Sequence, residues 1–334
     1  MAEADGVYVL DTGSTDGTAE RLRALGAVVV EERVEPWRFD TARNRSLELV
    51  PEDADICVCT DLDEVFHPGW RAALEAAWTD GTTQAVYRYT WNFNADGSEG
   101  TVFWIEKIHA RRGYRWTHPV HEVLERQEGW GPGRKCTAEG VQLDHHADPA
   151  KSRGQYLPLL ELSVAEAPED DRNTHYLGRE YLFYGRWDDC IRTLERHLSL
   201  PTAVWADERC ASMRFLARAW RQKGRLEQAR RWLWRAIGEA PHLREPYLEL
   251  ARLLYEEAEW DGVVYLCRQA LAITDRPQTY ICEAEAWGSL PWDLLSLGLY
   301  HTGRRAEALE AARQALALSP EDGRIRDNVA FLAG

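Results

Sequence analysis

The sequence has few lysines, few methionines and no long apolar run. It contains 4 Lys and 2 Met among 334 residues, and its net charge at pH 7 is −15. Broad binding to nucleic acid rests on surplus positive charge, so this balance argues against a nucleic-acid-binding protein. No apolar run approaches the roughly 20 residues that span a bilayer, and no charged-then-apolar leader precedes Asp11. We therefore expect a cytoplasmic protein without a membrane span.

The seven cysteines lack the spacing of a disulfide framework. They are scattered, odd in number and contain no C-x-x-C pair, which predicts reduced thiols. Tryptophan is abundant by contrast, with 15 residues. The chain length predicts about two domains, each large enough to bury a core.

The first half of the chain alternates short apolar runs with helical stretches, a pattern that favours an α/β domain with a mainly parallel sheet. We place this domain at residues 1–150. Three later runs alternate more strictly and predict an antiparallel extension of the sheet. The predicted strands are Gly6–Leu10, Ala27–Glu31 and Asp55–Thr60, the helices are Thr18–Leu25, Thr41–Leu49 and Pro68–Trp78, and the extension comprises Gln84–Trp91, Thr101–His109 and Thr137–Leu143.

The second half, residues 151–334, contains a loosely repeated helical pattern. Equivalent turn positions fall at Gly185, Gly224, Ala258 and Gly303, which are 39, 34 and 45 residues apart. The pattern resembles the tetratricopeptide repeat, a helical hairpin of about 34 residues, and implies an all-α solenoid. A generic helical bundle is the alternative. The tryptophans of this half are expected in its core.

Two acidic motifs of the first half follow predicted strands. Asp11-Thr-Gly-Ser14-Thr-Asp-Gly-Thr18 lies between a strand and a helix, where ligands bind in open parallel sheets and where Ser14 or Thr15 can cap the helix. A plain capped turn is the alternative. Asp61-Leu-Asp63-Glu64 places three carboxylates together after a buried strand, so a cation or hydrogen bonds must compensate them. If the strand persists, Asp61 and Asp63 share a face and can hold Mg²⁺ or Mn²⁺; a solvated acidic turn is the alternative.

Together these motifs resemble the family 2 glycosyltransferases of the GT-A fold, a Rossmann-like α/β architecture. The resemblance extends through Trp37-x-Phe39-Asp-x-Ala42-Arg43-Asn44, Tyr114-Arg-Trp116-x-His-Pro-Val-His121-Glu122 and Asp144-His145-His146. One branch of this family joins such a domain to C-terminal tetratricopeptide repeats, in the same order as here. The family normally begins with a further strand, which would be central in the sheet. Its absence ahead of Gly6 would leave an unpaired sheet edge and places nucleotide binding in question.

The resemblance implies a role for each matched residue. Asp11 and Ser14 belong to the nucleotide-sugar site, with Asp11 on the nucleobase, and Arg43 and Asn44 shape the same site. Asp61 and Asp63 hold a divalent cation, Mn²⁺ or Mg²⁺, on the donor diphosphate. Glu122 is the candidate general base of an inverting transfer, and His121 orients it or contacts phosphate, with a structural role as the alternative. His145 is the candidate third metal ligand, although a one-residue change of register would exchange it with His146.

These expectations define a metal-dependent glycosyltransferase, with a hexosyltransferase and a UDP-sugar donor favoured. Its acceptor is a peptide, protein or glycan, and the repeats serve acceptor binding or homodimer formation. Two alternatives stay open: a catalytically degenerate domain that serves as an interaction scaffold, and a glycosyltransferase acting on nucleic-acid bases.

Overall fold

The computed structural model of the chain describes residues 3–94, 97–147 and 154–334. Contacts divide the chain into two compact units, Met1–Glu166 and Ala167–Gly334. The predicted domain boundary between residues 150 and 151 lies outside the described residues and stays a prediction. No helix in the described ranges has the length and apolarity to cross a membrane.

The first unit is an α/β domain with mixed strand pairing. Its helices are α1 (Thr18–Ala24), α2 (Phe39–Glu48), α3 (Trp70–Ala77) and α4 (Tyr156–Glu166). Its strands are β1 (Tyr8–Asp11), β2 (Val28–Glu31), β3 (Ile56–Val58), β4 (Glu64–Phe66), β5 (Gln84–Thr90), β6 (Val102–Ala110), β7 (Tyr114–Thr117), β8 (Val123–Arg126) and β9 (Lys135–His145). The elements predicted from the sequence are thus present, with each end displaced by at most two residues.

Over the described residues, the strands of this unit form three separate sheets. Strands β1 and β2 pair in parallel as a two-stranded ribbon, and β7 and β8 form an antiparallel hairpin. The remaining five strands pair in the order β3-β6-β5-β9-β4. The predicted antiparallel extension supplies the three central strands of this sheet. The parallel pairs among the described strands are β1–β2 and β5–β9. Among the described residues, β1 pairs with β2 alone and β3 pairs with β6 alone.

The five-stranded sheet is held by an apolar core on the face covered by α3. Tyr87, Ile108 and Leu143 come from the three central strands and are buried, and they pack with Leu74 of α3. Burying such side chains contributes about 1.5–3 kcal/mol each relative to exposure. Because side chains alternate along a strand, the intervening residues point to the other face. Burial of one face therefore fixes the pairing register of the strands next to the acidic turn.

Residues 167–334 fold into successive helical hairpins, which confirms the repeat architecture. Each helix packs against the next, and alternate helices also contact each other, as in a solenoid. A short 3₁₀ helix, Ala284–Trp287, lies in the insertion before the last hairpin. The helices are α5 (Asp171–Phe183), α6 (Trp187–Ser199), α7 (Ala206–Gln222), α8 (Leu226–Glu239), α9 (Glu245–Glu256), α10 (Trp260–Ala272), α11 (Leu290–His301), α12 (Arg305–Leu318) and α13 (Gly323–Ala333).

The four turn positions identified in the sequence share one backbone conformation. Gly185, Gly224, Ala258 and Gly303 have φ angles of 69°, 69°, 57° and 77°. At each, the next amide bonds back to a carbonyl five residues earlier, as Arg225 does to Trp220 at 2.9 Å. This left-handed closure ends the first helix of each hairpin and starts the return. Trp220 and Trp232 pack on the core as predicted, whereas Trp234 is exposed.

Replacing Gly224 by Ala is expected to destabilise the protein by about 1 kcal/mol, because an L side chain in the left-handed region is strained. No atom lies within 4 Å of a Cβ added there, so the cost is conformational and not steric. The matched change Gly238→Ala in α8 also meets no atom within 4 Å. Since that glycine is helical, the change should stabilise by up to about 1 kcal/mol. Urea unfolding of both variants measures the effects, and effects of the same sign would contradict this account.

Candidate active site

The acidic motif Asp61–Glu64 forms a tight turn between β3 and β4. Strand β3 ends at Val58, so the prediction that Asp61 and Asp63 share a strand face is wrong. The amide of Asp61 donates to Glu64 Oε2 at 2.9 Å, and the amide of Glu64 donates to the Asp61 carbonyl at 3.1 Å. These two bonds close the turn and position the carboxylates, because the strand pairing has already ended.

The side chain of Glu64 is buried, and its Oε1 is bound by two strands of the five-stranded sheet. Tyr89 Oη donates to its Oε1 at 2.8 Å, and Lys107 Nζ lies 2.6 Å from the same atom. Lys107 also contacts Asp61 Oδ2 at 3.3 Å. The compensation that the carboxylate cluster requires therefore comes from the protein's own cation and hydroxyl. Lys107 and Tyr89 were not predicted as site residues; a lysine in the mainly apolar strand β6 was the available signal for Lys107.

Arg43 of α2 joins the acidic turn to the predicted base. Its Nη2 lies 3.0 and 3.1 Å from the two oxygens of Asp61, and its Nε donates to Glu122 Oε1 in a short hydrogen bond. Its Nη1 contacts Cys59 Sγ at 3.3 Å, and the guanidinium lies 5.0 Å from the Trp116 ring centroid. The side chains of Arg43 and Glu122 are 14% and 11% exposed. The structure thus brings three predicted site residues into one ionic network.

The charges of this network set its protonation. Although burial opposes ionisation, Arg43 and Lys107 lower the pKa of Asp61. Burial likewise opposes the charged form of Arg43, but Cys59, Glu122 and Asp61 together raise the pKa of Arg43. Burial raises the pKa of the Cys59 thiol, which disfavours the thiolate that a nucleophile needs. Asp61 is therefore ionised at neutral pH and already carries two cationic partners.

Glu122 lies at the end of a strained loop between β7 and β8. His118 and His121 in this loop have φ angles of 73° and 50°, a region that costs non-glycine residues energy. Asn44 holds the adjoining strand: its Nδ2 donates to the Trp116 carbonyl at 2.8 Å and its Oδ1 accepts from the Trp116 amide at 3.0 Å. Asn44 thus fixes the hairpin that presents Glu122, a contact that the sequence did not reveal.

His145, at the end of β9, faces Asp63. Its Nε2 lies 3.6 Å from Asp63 Oδ2, and its Nδ1 lies 2.9 Å from the Trp91 carbonyl oxygen. A carbonyl only accepts, so Nδ1 carries the proton and Nε2 presents a lone pair in the neutral ring. A lone pair and a carboxylate that face each other are stabilised by a cation between them, and such an imidazole–carboxylate pair is a donor set for Mn²⁺.

The other predicted ligand positions lie nearby but do not complete a three-ligand group. Within residues 3–94, 97–147 and 154–334, Asp61, Asp63 and His145 do not bring three ligand atoms within 4.8 Å of one another. The His146 ring stacks on Phe93 at 5.5 Å, and its amide donates to the Asp63 carbonyl at 2.7 Å. This arrangement is the one expected from the predicted register, with His145 rather than His146 turned to the acidic motif. The metal assignment itself stays a prediction.

Asp11 ends β1 and organises the following turn. Its Oδ1 accepts from the amides of Gly13 and Ser14 at 2.9 and 2.8 Å. Burial would raise the pKa of Asp11, but the bonds from Ser14 and Gly13 lower it. Helix α1 begins at Thr18 after Gly17, with no side-chain cap, so the prediction that Ser14 or Thr15 caps it is wrong. The contact with a nucleobase stays a prediction.

The order of these motifs agrees with a known family. Residues 2–130 match the model described as glycosyl transferase family 2. The first unit contains a family 2 glycosyltransferase domain. The matched segment includes Asp11, Asp61, Asp63 and Glu122, and it ends before His145. None of the curated proteins matches the chain.

Solved structures resemble about half of the chain. One is the APC/C hetero-tetramer Cut9–Hcn1, with 16% identity and a TM-score of 0.42 over 53% of this chain and 32% of that one. Another is the tetratricopeptide protein TTC0263 of Thermus thermophilus, with 23% identity and a TM-score of 0.38 over 53% of this chain and 88% of that one. PilF of Pseudomonas aeruginosa has 16% identity and a TM-score of 0.42 over 52% of this chain and 72% of that one. Similarities this low say nothing about what the chain binds.

Proposed function

We propose that the glycosyltransferase domain transfers a sugar from a nucleotide-diphosphate donor to a hydroxyl or amide of an acceptor, with inversion at the anomeric carbon. The observation that carries this proposal is the network that joins Arg43, Asp61 and Glu122 beside the facing pair of Asp63 and His145. A UDP-hexose donor and a peptide, protein or glycan acceptor remain the favoured substrates. The repeats would bind the acceptor or a second copy of the chain.

In the proposed reaction, Glu122 accepts the acceptor's proton as the acceptor atom bonds to the anomeric carbon. The bond from that carbon to the diphosphate oxygen breaks, and its electron pair stays with the diphosphate. Arg43 donates to Glu122 Oε1 and so favours the carboxylate that this step needs. The same guanidinium holds Asp61, so the base and the acidic turn keep a fixed separation.

The residues present fit a divalent cation at Asp63 and His145, since one supplies a carboxylate and the other an oriented imidazole. A bound Mn²⁺ or Mg²⁺ would neutralise charge on the departing diphosphate. Asp61 is committed to Arg43 and Lys107, so we assign it to position those two cations and to border the metal pair. In the role implied by the family resemblance, Asp61 and Asp63 hold the cation together; here, of these two aspartates, we assign direct binding of the cation to Asp63 alone.

Calorimetric titration with UDP and GDP, with and without Mn²⁺, tests the donor site. We expect one nucleotide to bind more tightly with Mn²⁺, and Asp63→Asn to lower that Mn²⁺-dependent gain at least about 10-fold. Asp144→Asn is the matched control: this neighbour of His145 bonds His67 at 2.8 Å and should leave the gain unchanged. Binding of neither nucleotide by folded protein would overturn the proposal and favour the scaffold alternative.

A further inference from the structure

The first repeat gathers two carboxylates and a histidine at one end of its helices. Asp171 lies in the first turn of α5, His197 in the last turn of α6 and Glu208 in the first turn of α7. In successive helical hairpins, a helix starts at the end where its predecessor finishes, so these three positions converge. One ligand atom from each residue lies within 4.8 Å of the other two, and His197 Nε2 is 3.3 Å from Glu208 Oε1.

This cluster is buried, which is unusual for ionisable groups inside a helical repeat. His197 is fully buried, Glu208 is 3% exposed, and Asp171 is half-buried. Tyr280 Oη donates to Glu208 Oε2 at 2.6 Å. This hydroxyl fixes the orientation of the Glu208 carboxylate, and Asp171 is the most exposed of the three residues.

A single hydroxyl links two histidines behind this cluster. Ser212 Oγ lies 2.7 Å from His175 Nδ1 and 2.9 Å from His197 Nδ1. The hydroxyl has one proton, so between neutral rings it donates to one Nδ1 and accepts from the other. If it accepts from His197, then His197 Nε2 presents a lone pair to the Glu208 carboxylate. His175 Nε2 is fully buried, and it finds no hydrogen-bond partner within the described ranges.

We propose that Asp171, His197 Nε2 and Glu208 bind a zinc-class divalent ion that ties α5, α6 and α7 together. Tetrahedral zinc with bonds of about 2.0–2.2 Å separates its ligand atoms by about 3.3–3.6 Å, and the distance between His197 and Glu208 is 3.3 Å. The half-buried carboxylate of Asp171 offers the entry path and the third ligand atom. Ser212 and Tyr280 orient the imidazole and the carboxylate from outside, as hydrogen-bond partners of zinc ligands do.

The neighbourhood also limits which ion the site accepts. Arg172, whose guanidinium lies over the Tyr176 ring at 5.1 Å, interacts with the charge of Glu208 and weakens attraction for any cation. Mg²⁺ and Ca²⁺ depend on charge and on oxygen ligands, whereas Zn²⁺ gains from imidazole nitrogen. We therefore expect Zn²⁺ to bind and Mg²⁺ to be excluded.

The test is calorimetric titration of metal-free, full-length protein with Zn²⁺. All proteins carry Asp63→Asn, which removes the ion proposed for the glycosyltransferase domain. We expect one Zn²⁺ to bind and to raise Tm, because an ion that binds the native state stabilises it. Asp171→Asn and Glu208→Gln should each weaken binding at least about 10-fold. The control Asp207→Asn removes the adjacent carboxylate, which bonds His242 at 2.8 Å, and should leave affinity unchanged.

Asp171→Asn decides the outcome if Glu208→Gln does not fold, since Asp171 is half-buried and its amide keeps the same shape. Absence of Zn²⁺ binding, or equal affinity for the Asp171→Asn and control proteins, would overturn the proposal. X-ray absorption of the zinc complex gives an independent readout. Nitrogen and oxygen neighbours at about 2.0–2.2 Å would support the site, whereas sulfur at about 2.3 Å would assign the ion to cysteines and refute it.

Discussion

Replacing Glu122 by Gln is expected to lower the rate of sugar transfer by about 10²–10⁴-fold and to leave nucleotide affinity unchanged. A glutamine cannot take the acceptor's proton, and general-base catalysis contributes a factor of that size. Its side-chain carbonyl can still accept from Arg43 Nε, so the loop between β7 and β8 keeps its anchor. The change therefore removes the proton acceptor without removing the contact that positions it.

The rate is measured as nucleotide diphosphate released with acceptor present, and affinity by calorimetry on the same samples. Glu125→Gln is the matched control, because Glu125 lies on β8 near Glu122 but is exposed and should leave the rate unchanged. A Glu122→Gln protein with the wild-type rate would remove Glu122 as the base. Loss of nucleotide affinity in this variant would assign it to donor binding instead.

Replacing Arg43 by Met is expected to destabilise the protein by about 3 kcal/mol. Removing one partner of a buried ion pair leaves the other charge uncompensated, which costs about 3–5 kcal/mol. The low end of that range applies because Asp61 is 42% exposed and keeps its contact with Lys107. Glu122 carries most of the penalty, since it is 11% exposed and would lose its cationic partner.

The control is Arg45→Met, two residues along the same helix. Arg45 is 52% exposed and its nearest carboxylates lie 3.7 and 3.9 Å away, so the change should shift stability by less than about 0.5 kcal/mol. Adding Glu122→Gln to Arg43→Met should recover part of the loss, with a coupling energy above about 1 kcal/mol. Equal unfolding free energies for the Arg43→Met and Arg45→Met proteins would contradict the buried network.

Features set by local sequence were predictable, and contacts across the chain were not. The left-handed turns at Gly185, Gly224, Ala258 and Gly303 follow from residues that lie within one hairpin, so spacing alone located them. Arg43 and Glu122 were each identified, yet nothing in either segment reveals their contact across 79 residues. The order of motifs identified the domain because a family conserves many short segments together.

The acidic turn marks where local reasoning failed. The prediction assumed that the alternation of side chains along β3 continues through Asp61 and Asp63. The strand instead ends at Val58, and a hydrogen bond between Asp61 and Glu64 closes a turn. Burial of Glu64 demanded a counter-charge, and the sequence suggested a metal ion because no nearby residue supplied one. Lys107 arrives from β6, 43 residues later, and fills that role. Which cation neutralises a buried carboxylate depends on which strands are neighbours in the sheet. The hydrophobic periodicity of the sequence does not reveal that order.

The separate β1–β2 ribbon has a consequence for how a nucleotide would bind. A two-stranded ribbon is marginally stable by itself, and this one is supported mainly by α1 and α2. Asp11, the proposed base-contacting residue, stands at its end. Local opening of the ribbon would therefore precede global unfolding, and its amides would exchange with solvent ahead of those in the five-stranded sheet. Part of the free energy of nucleotide binding would be spent on keeping the ribbon folded. A variant that destabilises the ribbon should therefore bind the donor more weakly, even if the change lies away from the nucleotide.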